Sequence, residues 1–289
     1  MASAVGPELS RAVDAALRVA GDTGRWEPGR SLGGSQSAVV RLRTGTAEYV
    51  LKHGMAPEVA TAEARGLRLL AATGTVRVPE VIGSGEEPAF VLLEHVAACG
   101  RYDGARLGRE LAALHRSVGE SYGLDHDNFC GRTPQRNTAT GSWIDFFRDF
   151  RLEPQGAIAA RAGRMPAERA RRLDALMARL DAFIDEDACS PSLIHGDLWG
   201  GNAITGPEGE PVLIDPAVSY SEREAELAMM RLFGGFSEAC FAAYDEAWPL
   251  PAGWRERSDL YQLYHLLNHL NLFGEGYGVS VDAVLRRYA

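Results

Sequence analysis

The chain has 289 residues, 46% of them hydrophobic and 24% charged, with a formal net charge of −9 at pH 7. Those values exclude a disordered chain and leave room for two modest lobes or one large domain. The acidic balance argues against broad binding to nucleic acid or to an anionic membrane, so small molecules are the expected ligands. Cys99, Cys130, Cys189 and Cys240 are scattered without short paired spacings. That pattern suggests neither a zinc site nor a disulfide framework and fits reduced thiols in the cytoplasm. Residues 1–10 lack the basic start and apolar core of a secretion signal. The most apolar run, residues 89–99, is interrupted by Glu94 and His95 and is too short to cross a bilayer.

In chain order, a helical opening segment leads to Ser31, Leu32, Gly33, Gly34 and Ser35. The two glycines would let the backbone approach phosphates closely, and Ser35 adds a hydroxyl donor. The turn has neither the Gly-x-Gly-x-x-Gly spacing of protein kinases nor the Walker pattern, and paired glycines also mark ordinary turns. A hairpin follows, and Lys52 closes its apolar second strand. The helix starting near Glu58 carries Val59, Glu63, Leu67 and Leu70 at intervals of three and four, which puts Glu63 on the apolar face. A carboxylate there is costly unless a cation meets it, and Lys52 is the candidate, its ammonium aimed at nucleotide phosphates. Residues 79–82 and 89–93 complete a small, mainly antiparallel sheet. Glu94, His95 and Val96 then form a hinge, where backbone groups of Glu94 and Val96 are placed to pair with an adenine edge. The expected organisation is a nucleotide-binding lobe over residues 1–96 and a catalytic and substrate lobe over residues 97–289.

The second lobe reads as mostly helical. Leu107, Leu111, Leu114 and Val118 define one buried stripe, and residues 165–184 define another through Leu173, Leu176, Met177 and Leu180. Residues 134–141 read as a polar loop. Residues 260–273 read as a core helix in which His265 and His269 fall four apart, a spacing that can bind a metal. No third ligand is evident in sequence, and hydrogen-bonded packing explains the pair better.

The most informative segment is His195-Gly196-Asp197-Leu198-Trp199-Gly200-Gly201-Asn202. Residues 203–205 and 211–214 are β-prone runs around a turn-rich stretch, so they predict a hairpin with Asn202 entering its first strand and Asp215 leaving its second. Antiparallel pairing would bring those two oxygen donors together, a shell suited to Mg2+ shared with substrate phosphates. Asp197, just before them, is placed to accept a hydroxyl proton. A base, an Asn and an Asp in this order are what phosphoryl transfer needs, and turn chemistry alone does not require all three.

These residues resemble the fructosamine kinase (ketosamine-3-kinase) family, within the protein-kinase-like, aminoglycoside-phosphotransferase-like superfamily. Lys52, Glu63, His195-Gly196-Asp197, Asn202 and Asp215 carry the superfamily likeness. Residues 107–116, 127–137, 146–152, 195–202, 215–217 and 232–236 carry the closer one, so that the match covers nearly the whole chain. The resemblance implies an α+β, two-lobed fold with a small antiparallel sheet lobe and a larger, mainly helical lobe. It implies ATP- and Mg2+-dependent phosphorylation of the third-carbon hydroxyl of a protein-bound or small-molecule ketosamine, after which the adduct falls apart and frees the amine. In that scheme Asp197 is the base, Asn202 and Asp215 are magnesium ligands, and Lys52 contacts phosphate under the orienting influence of Glu63. Trp199 as an apolar face, with Asn128, Gln135, Asn268 and His269 as hydrogen-bonding groups, are candidate sugar contacts. One stretch departs from the pattern. Ser221-Glu222-Arg223-Glu224-Ala225-Glu226 stands where the family more often shows Gly-His-Arg-Glu-Ala-Asp, which lengthens the acid at Glu226 and removes an imidazole at Glu222. A kinase of the aminoglycoside or choline type would share the superfamily motifs and is the alternative; the closer motifs argue against it.

Overall fold

The computed structural model describes residues 6–33, 37–98 and 100–289. The chain divides into two compact units, the first running through Asp103 and including Ile204–Pro216, the second comprising Gly104–Ala203 and Ala217–Ala289. The division thus falls after Asp103 rather than at 96/97, and a segment from late in the chain counts with the first unit.

In the first unit α1 (Pro7–Ala20) starts on a proline, which loses no helical hydrogen bond there, and ends at Gly21 with a left-handed φ of 67°. Ala12, Val13, Ala16 and Leu17 of α1 pack with Val40, Leu42, Leu51, Phe90 and Leu92. Those last five residues come from the sheet strands β2 (Ala38–Arg43), β3 (Glu48–His53) and β5 (Ala89–Glu94). With β1 (Glu27–Gly33) and β4 (Val81–Glu86) the sheet order is β1-β2-β3-β5-β4, antiparallel throughout. Side chains alternate along a strand, so Leu51 joins the α1 core while Lys52 takes the opposite face and meets α2 (Pro57–Ala72).

In the second unit α3 (Gly104–His115) buries Leu107, Leu111 and Leu114 but stops before Val118, which is exposed rather than the next step of the stripe. The stretch expected as a polar loop instead contributes to a hairpin, β6 (Asn128–Cys130) with β7 (Thr133–Gln135). Its polar groups lie inside because they satisfy one another: Asn137 accepts from Arg151 at 2.8 Å and donates to Asn128 at 2.9 Å. α4 (Trp143–Phe147) passes through a π-helical turn into α5 (Glu153–Arg161). α6 (Ala167–Met177) is shorter than the helix expected over 165–184, because the backbone leaves helical geometry at Arg179 (φ −133°). β8 (Ser192–Ile194) precedes the loop of interest. β9 (Ala203–Thr205) and β10 (Pro211–Leu213) form the expected hairpin, which from Ile204 onward counts with the first unit, and β11 (Ser219–Ser221) pairs antiparallel with β8. The remaining helices are α7 (Arg223–Phe233), α8 (Glu238–Ala247), α9 (Trp254–Phe273) and α10 (Gly278–Tyr288). Leu260, Leu263, Leu267 and Leu270 of α9 share one core with Trp143, Phe146 and Phe147. Among the described residues no helix is long and apolar enough to cross a membrane.

Candidate active site

The first unit contributes a three-membered charge cluster. The Lys52 ammonium donates to Glu63 at 2.5 Å and also to the Asp215 carboxylate. The Lys52 side chain is 9% exposed and that of Asp215 is 48% exposed, so one end of the cluster is dry and the other faces water. Burial by itself would drive the proton off Lys52, but Glu63 and Asp215 together outweigh it and hold the ammonium above its ordinary pKa. Among the described residues Asp215 is the one non-glycine with a left-handed φ, at 57°. Backbone strain of that kind is retained only where the surroundings hold it, commonly at functional sites.

Asp215 reaches Lys52 because the β9–β10 hairpin is fastened to the first unit. The Leu213 amide donates to the Arg77 carbonyl at 2.9 Å, and the Arg77 guanidinium pairs with Glu94 at 2.6 Å and with Glu210. Gly33 closes β1, whereas Gly34 and Ser35 lie outside the described residues. At the hinge, the Glu94 amide donates to the Glu80 carbonyl at 2.9 Å and its carboxylate is held by Arg77. The Glu94 amide is therefore spent within the unit, and of the backbone groups expected at the hinge the Glu94 carbonyl and those of Val96 stand as the candidates. His95 lies 3.3 Å from Glu48.

The second unit contributes the loop that follows β8. Gly196 has φ 84°, and a Cβ there would run into the Ala217 carbonyl, so only glycine lets the loop lie against the segment leading to β11. Glu226 of α7, 1% exposed, accepts from the His195 and Gly196 amides at 2.7 Å each and lies 3.2 Å from His115 Nε2. His115 Nδ1 in turn lies 2.8 Å from the Tyr244 hydroxyl. Burial opposes ionisation of Glu226, but His115 and the loop amides outweigh it and keep the carboxyl below its usual pKa. Asn202 donates to the Asp197 carbonyl at 2.8 Å and, more weakly, to its carboxylate at 3.4 Å. Its amide oxygen is left as the donor suited to a hard cation. Trp199 is 43% exposed and its indole covers Gly201.

Three of the expected sugar contacts are committed elsewhere. Asn128 donates to the Val218 carbonyl at 2.7 Å, and Gln135 donates to Asn128 at 2.9 Å and to the Ala217 carbonyl at 3.1 Å. Asn268 accepts from Thr133 at 2.6 Å and donates to the Cys130 carbonyl at 3.3 Å. All three are buried. They pin the chain just after Asp215-Pro216 and brace β6–β7, a structural task that accounts for their polar groups being buried. His269 is half-buried and bonds the His265 carbonyl at 2.8 Å, with its ring against Phe233 at 4.5 Å. Sequence reasoning missed Arg77, Glu210, His115 and Tyr244, and saw Glu226 only as a departure. No local pattern signals pairs separated by more than a hundred positions.

The fructosamine kinase family model matches residues 22–289. The chain belongs to the fructosamine kinase family. It is 38% identical over 263 residues to a protein of Enterococcus faecium named as a probable ketoamine kinase, covering 89% of this chain and 93% of that one. It is 35% identical over 266 residues to a chloroplastic protein-ribulosamine 3-kinase of Oryza sativa subsp. indica, covering 89% and 77%. The fold matches a crystal structure from Thermobifida fusca described as a putative fructosamine-3-kinase, with a TM-score of 0.85 at 30% identity over 94% of this chain and 96% of that one.

Proposed function

We propose that this protein is a ketosamine 3-kinase: it transfers the γ-phosphoryl group of ATP to the third-carbon hydroxyl of a ketoamine adduct such as ribulosamine or fructosamine. Loss of the phosphorylated sugar from the adduct then frees the amine. The observation that carries this reading is the family match over residues 22–289, and the filled positions Lys52, Glu63, Asp197, Asn202 and Asp215 support it.

In the transfer, the bond between the γ-phosphorus and the β–γ bridging oxygen breaks, a bond from the sugar oxygen to phosphorus forms, and ADP leaves. Asp197 orients the acceptor hydroxyl and takes its proton. Lys52, held charged by Glu63, contacts the nucleotide phosphates. Magnesium fits the donors present, since the Asn202 amide oxygen and the Asp215 carboxylate are both hard oxygen ligands. When bound it would neutralise phosphate charge. Glu226 fixes the backbone of His195 and Gly196, so Asp197 is presented by a rigid turn, and positioning and charge neutralisation carry the rate. Trp199 offers the acceptor an exposed aromatic face. The scattered cysteines fit a cytoplasmic setting.

The test is a panel of acceptors with ATP and Mg2+: ribose-, erythrose- and fructose-derived lysine adducts beside choline and an aminoglycoside. Mass spectrometry should show free lysine and a sugar phosphate with the adducts. Phosphorylation of choline or the aminoglycoside with none of the adducts would overturn the reading.

A further inference from the structure

His265 and His269 share the helical spacing of a metal pair but do not act as one, since His269 is bound to the His265 carbonyl and its ring packs at a tilt among Phe233, Phe273 and Tyr277. His265 instead converges with two residues far away in sequence. Ligand atoms of Cys130 at the end of β6, Asp197 in the loop after β8 and His265 on α9 all lie within 4.8 Å of one another. We propose that these three side chains form a binding site for a divalent transition-metal ion of the zinc class, and that filling it takes the Asp197 carboxylate out of service.

The donor set selects the ion. One sulfur, one imidazole nitrogen and one carboxylate oxygen suit Zn2+ or Co2+, whereas Mg2+ and Ca2+ take oxygen alone. Tetrahedral zinc holds such donors roughly 3.2–3.7 Å apart, so side-chain rotations on the order of 1 Å would close the shell and leave a fourth position open. His265 is 5% exposed and its Nδ1 has no hydrogen-bond partner, which is costly for a buried imidazole without a further role. An imidazole that ligates through one nitrogen needs a partner for the other. A cavity of about 20 Å³ lined by His265, Gln135, Tyr264 and Glu226 has room for one water. The Asn268 amide, 3.3 Å from Cys130 Sγ, is placed to support a thiolate. Binding forms metal–sulfur, metal–nitrogen and metal–oxygen bonds and releases the Cys130 thiol proton to solvent; nothing is oxidised or reduced. The scattered cysteines suggested no zinc site because the ligands come from positions 130, 197 and 265, a grouping that no spacing rule detects.

The binding half is independent of the kinase reading; the inhibitory half rests on it. Metal-free protein, without nucleotide or Mg2+, is titrated with Co2+ while the thiolate-to-cobalt charge-transfer absorption is recorded. The band should saturate at a single equivalent and vanish on addition of Zn2+. It should be lost in Cys130→Ser and persist in Cys189→Ser and Cys240→Ser, with circular dichroism confirming that each variant is folded. His265→Gln should weaken binding by roughly tenfold or more. Absence of the band in the wild-type protein, or its survival in folded Cys130→Ser, overturns the site. In turnover assays Zn2+ should inhibit the wild type at concentrations roughly tenfold below those needed for Cys130→Ser. Equal sensitivity overturns the inhibitory half. A protein that binds cobalt in this way but phosphorylates no ketoamine keeps the site and loses the kinase reading.

Discussion

The two units hold their candidate catalytic groups by different physics. In the first, Lys52, Glu63 and Asp215 are an ion-paired cluster, partly buried, with a strained backbone at the aspartate. In the second, Asp197 is carried by a loop whose backbone amides are gripped by one buried carboxylate, Glu226, which His115 meets from another side. A cluster of charges tolerates small displacements because Coulomb attraction falls off slowly, which suits a group that must follow mobile phosphates. Directed hydrogen bonds do not tolerate them, which suits a base that must meet one hydroxyl. The proposed division of labour follows: the first unit grips the nucleotide, and the second sets the acceptor geometry.

The largest expected effect falls on the second unit. Asp197→Asn should lower kcat by roughly 10²–10⁴-fold with little change in ATP affinity, as measured by steady-state kinetics beside nucleotide titration. An equally active variant would end the base assignment. Glu226→Gln keeps the shape of the side chain but weakens its hold on the His195 and Gly196 amides. Turnover should fall about 10–100-fold with the KM for ATP nearly unchanged, while urea unfolding should show a loss of about 1–3 kcal/mol. A change in KM alone would place Glu226 on the nucleotide side instead.

Glu63→Gln probes the first unit and should do less. Lys52 keeps Asp215 as a partner, so the charge survives and mainly its aim is loosened. The KM for ATP should rise on the order of tenfold, with a smaller effect on kcat. If this variant were as inactive as Asp197→Asn, the contrast between the units would not hold.

The smallest effect concerns Glu222, the N-cap residue of α7. It is 2% exposed and accepts from the Ser190 amide at 2.9 Å. Burial, opposed by that hydrogen bond and aided by the Glu224 charge, pushes its carboxyl up to about 7 from 4.5. The folded state therefore binds the proton more tightly than the unfolded chain, so this group's contribution to stability is full below pH 4.5 and falls as pH rises toward 7. Glu222→Gln should remove that fall. Relative to wild type, the variant should gain about 1–3 kcal/mol at alkaline pH and far less at acid pH, read from denaturant midpoints. Parallel pH profiles for the two proteins would contradict this.

Much of this architecture was legible in the chain. Periodicity placed Glu63 among apolar residues and alternation put Lys52 on a sheet face, so their meeting was predictable from local rules. The hairpin after Asn202 followed from its β-prone runs and turn residues. Allegiance was not legible: nothing near 204–216 reveals that Arg77 fastens this hairpin to the first unit, because the partners are 133 positions apart. Nor does composition separate a polar residue that meets a ligand from one that braces a loop. Asn128, Gln135 and Asn268 look like ligand contacts in sequence and act as buried internal braces in the structure. Glu226 was visible only as a lengthened acid, since its work is done on backbone amides that carry no side-chain signature.

The division of labour is tested most directly by calorimetric titration of ATP, with and without Mg2+, into Asp197→Asn and Asp215→Asn. The account predicts that Asp197→Asn binds Mg–ATP about as tightly as wild type while turning over almost nothing, and that Asp215→Asn loses the Mg2+-dependent part of its ATP affinity. Full Mg–ATP affinity in Asp215→Asn, or its collapse in Asp197→Asn, would contradict it.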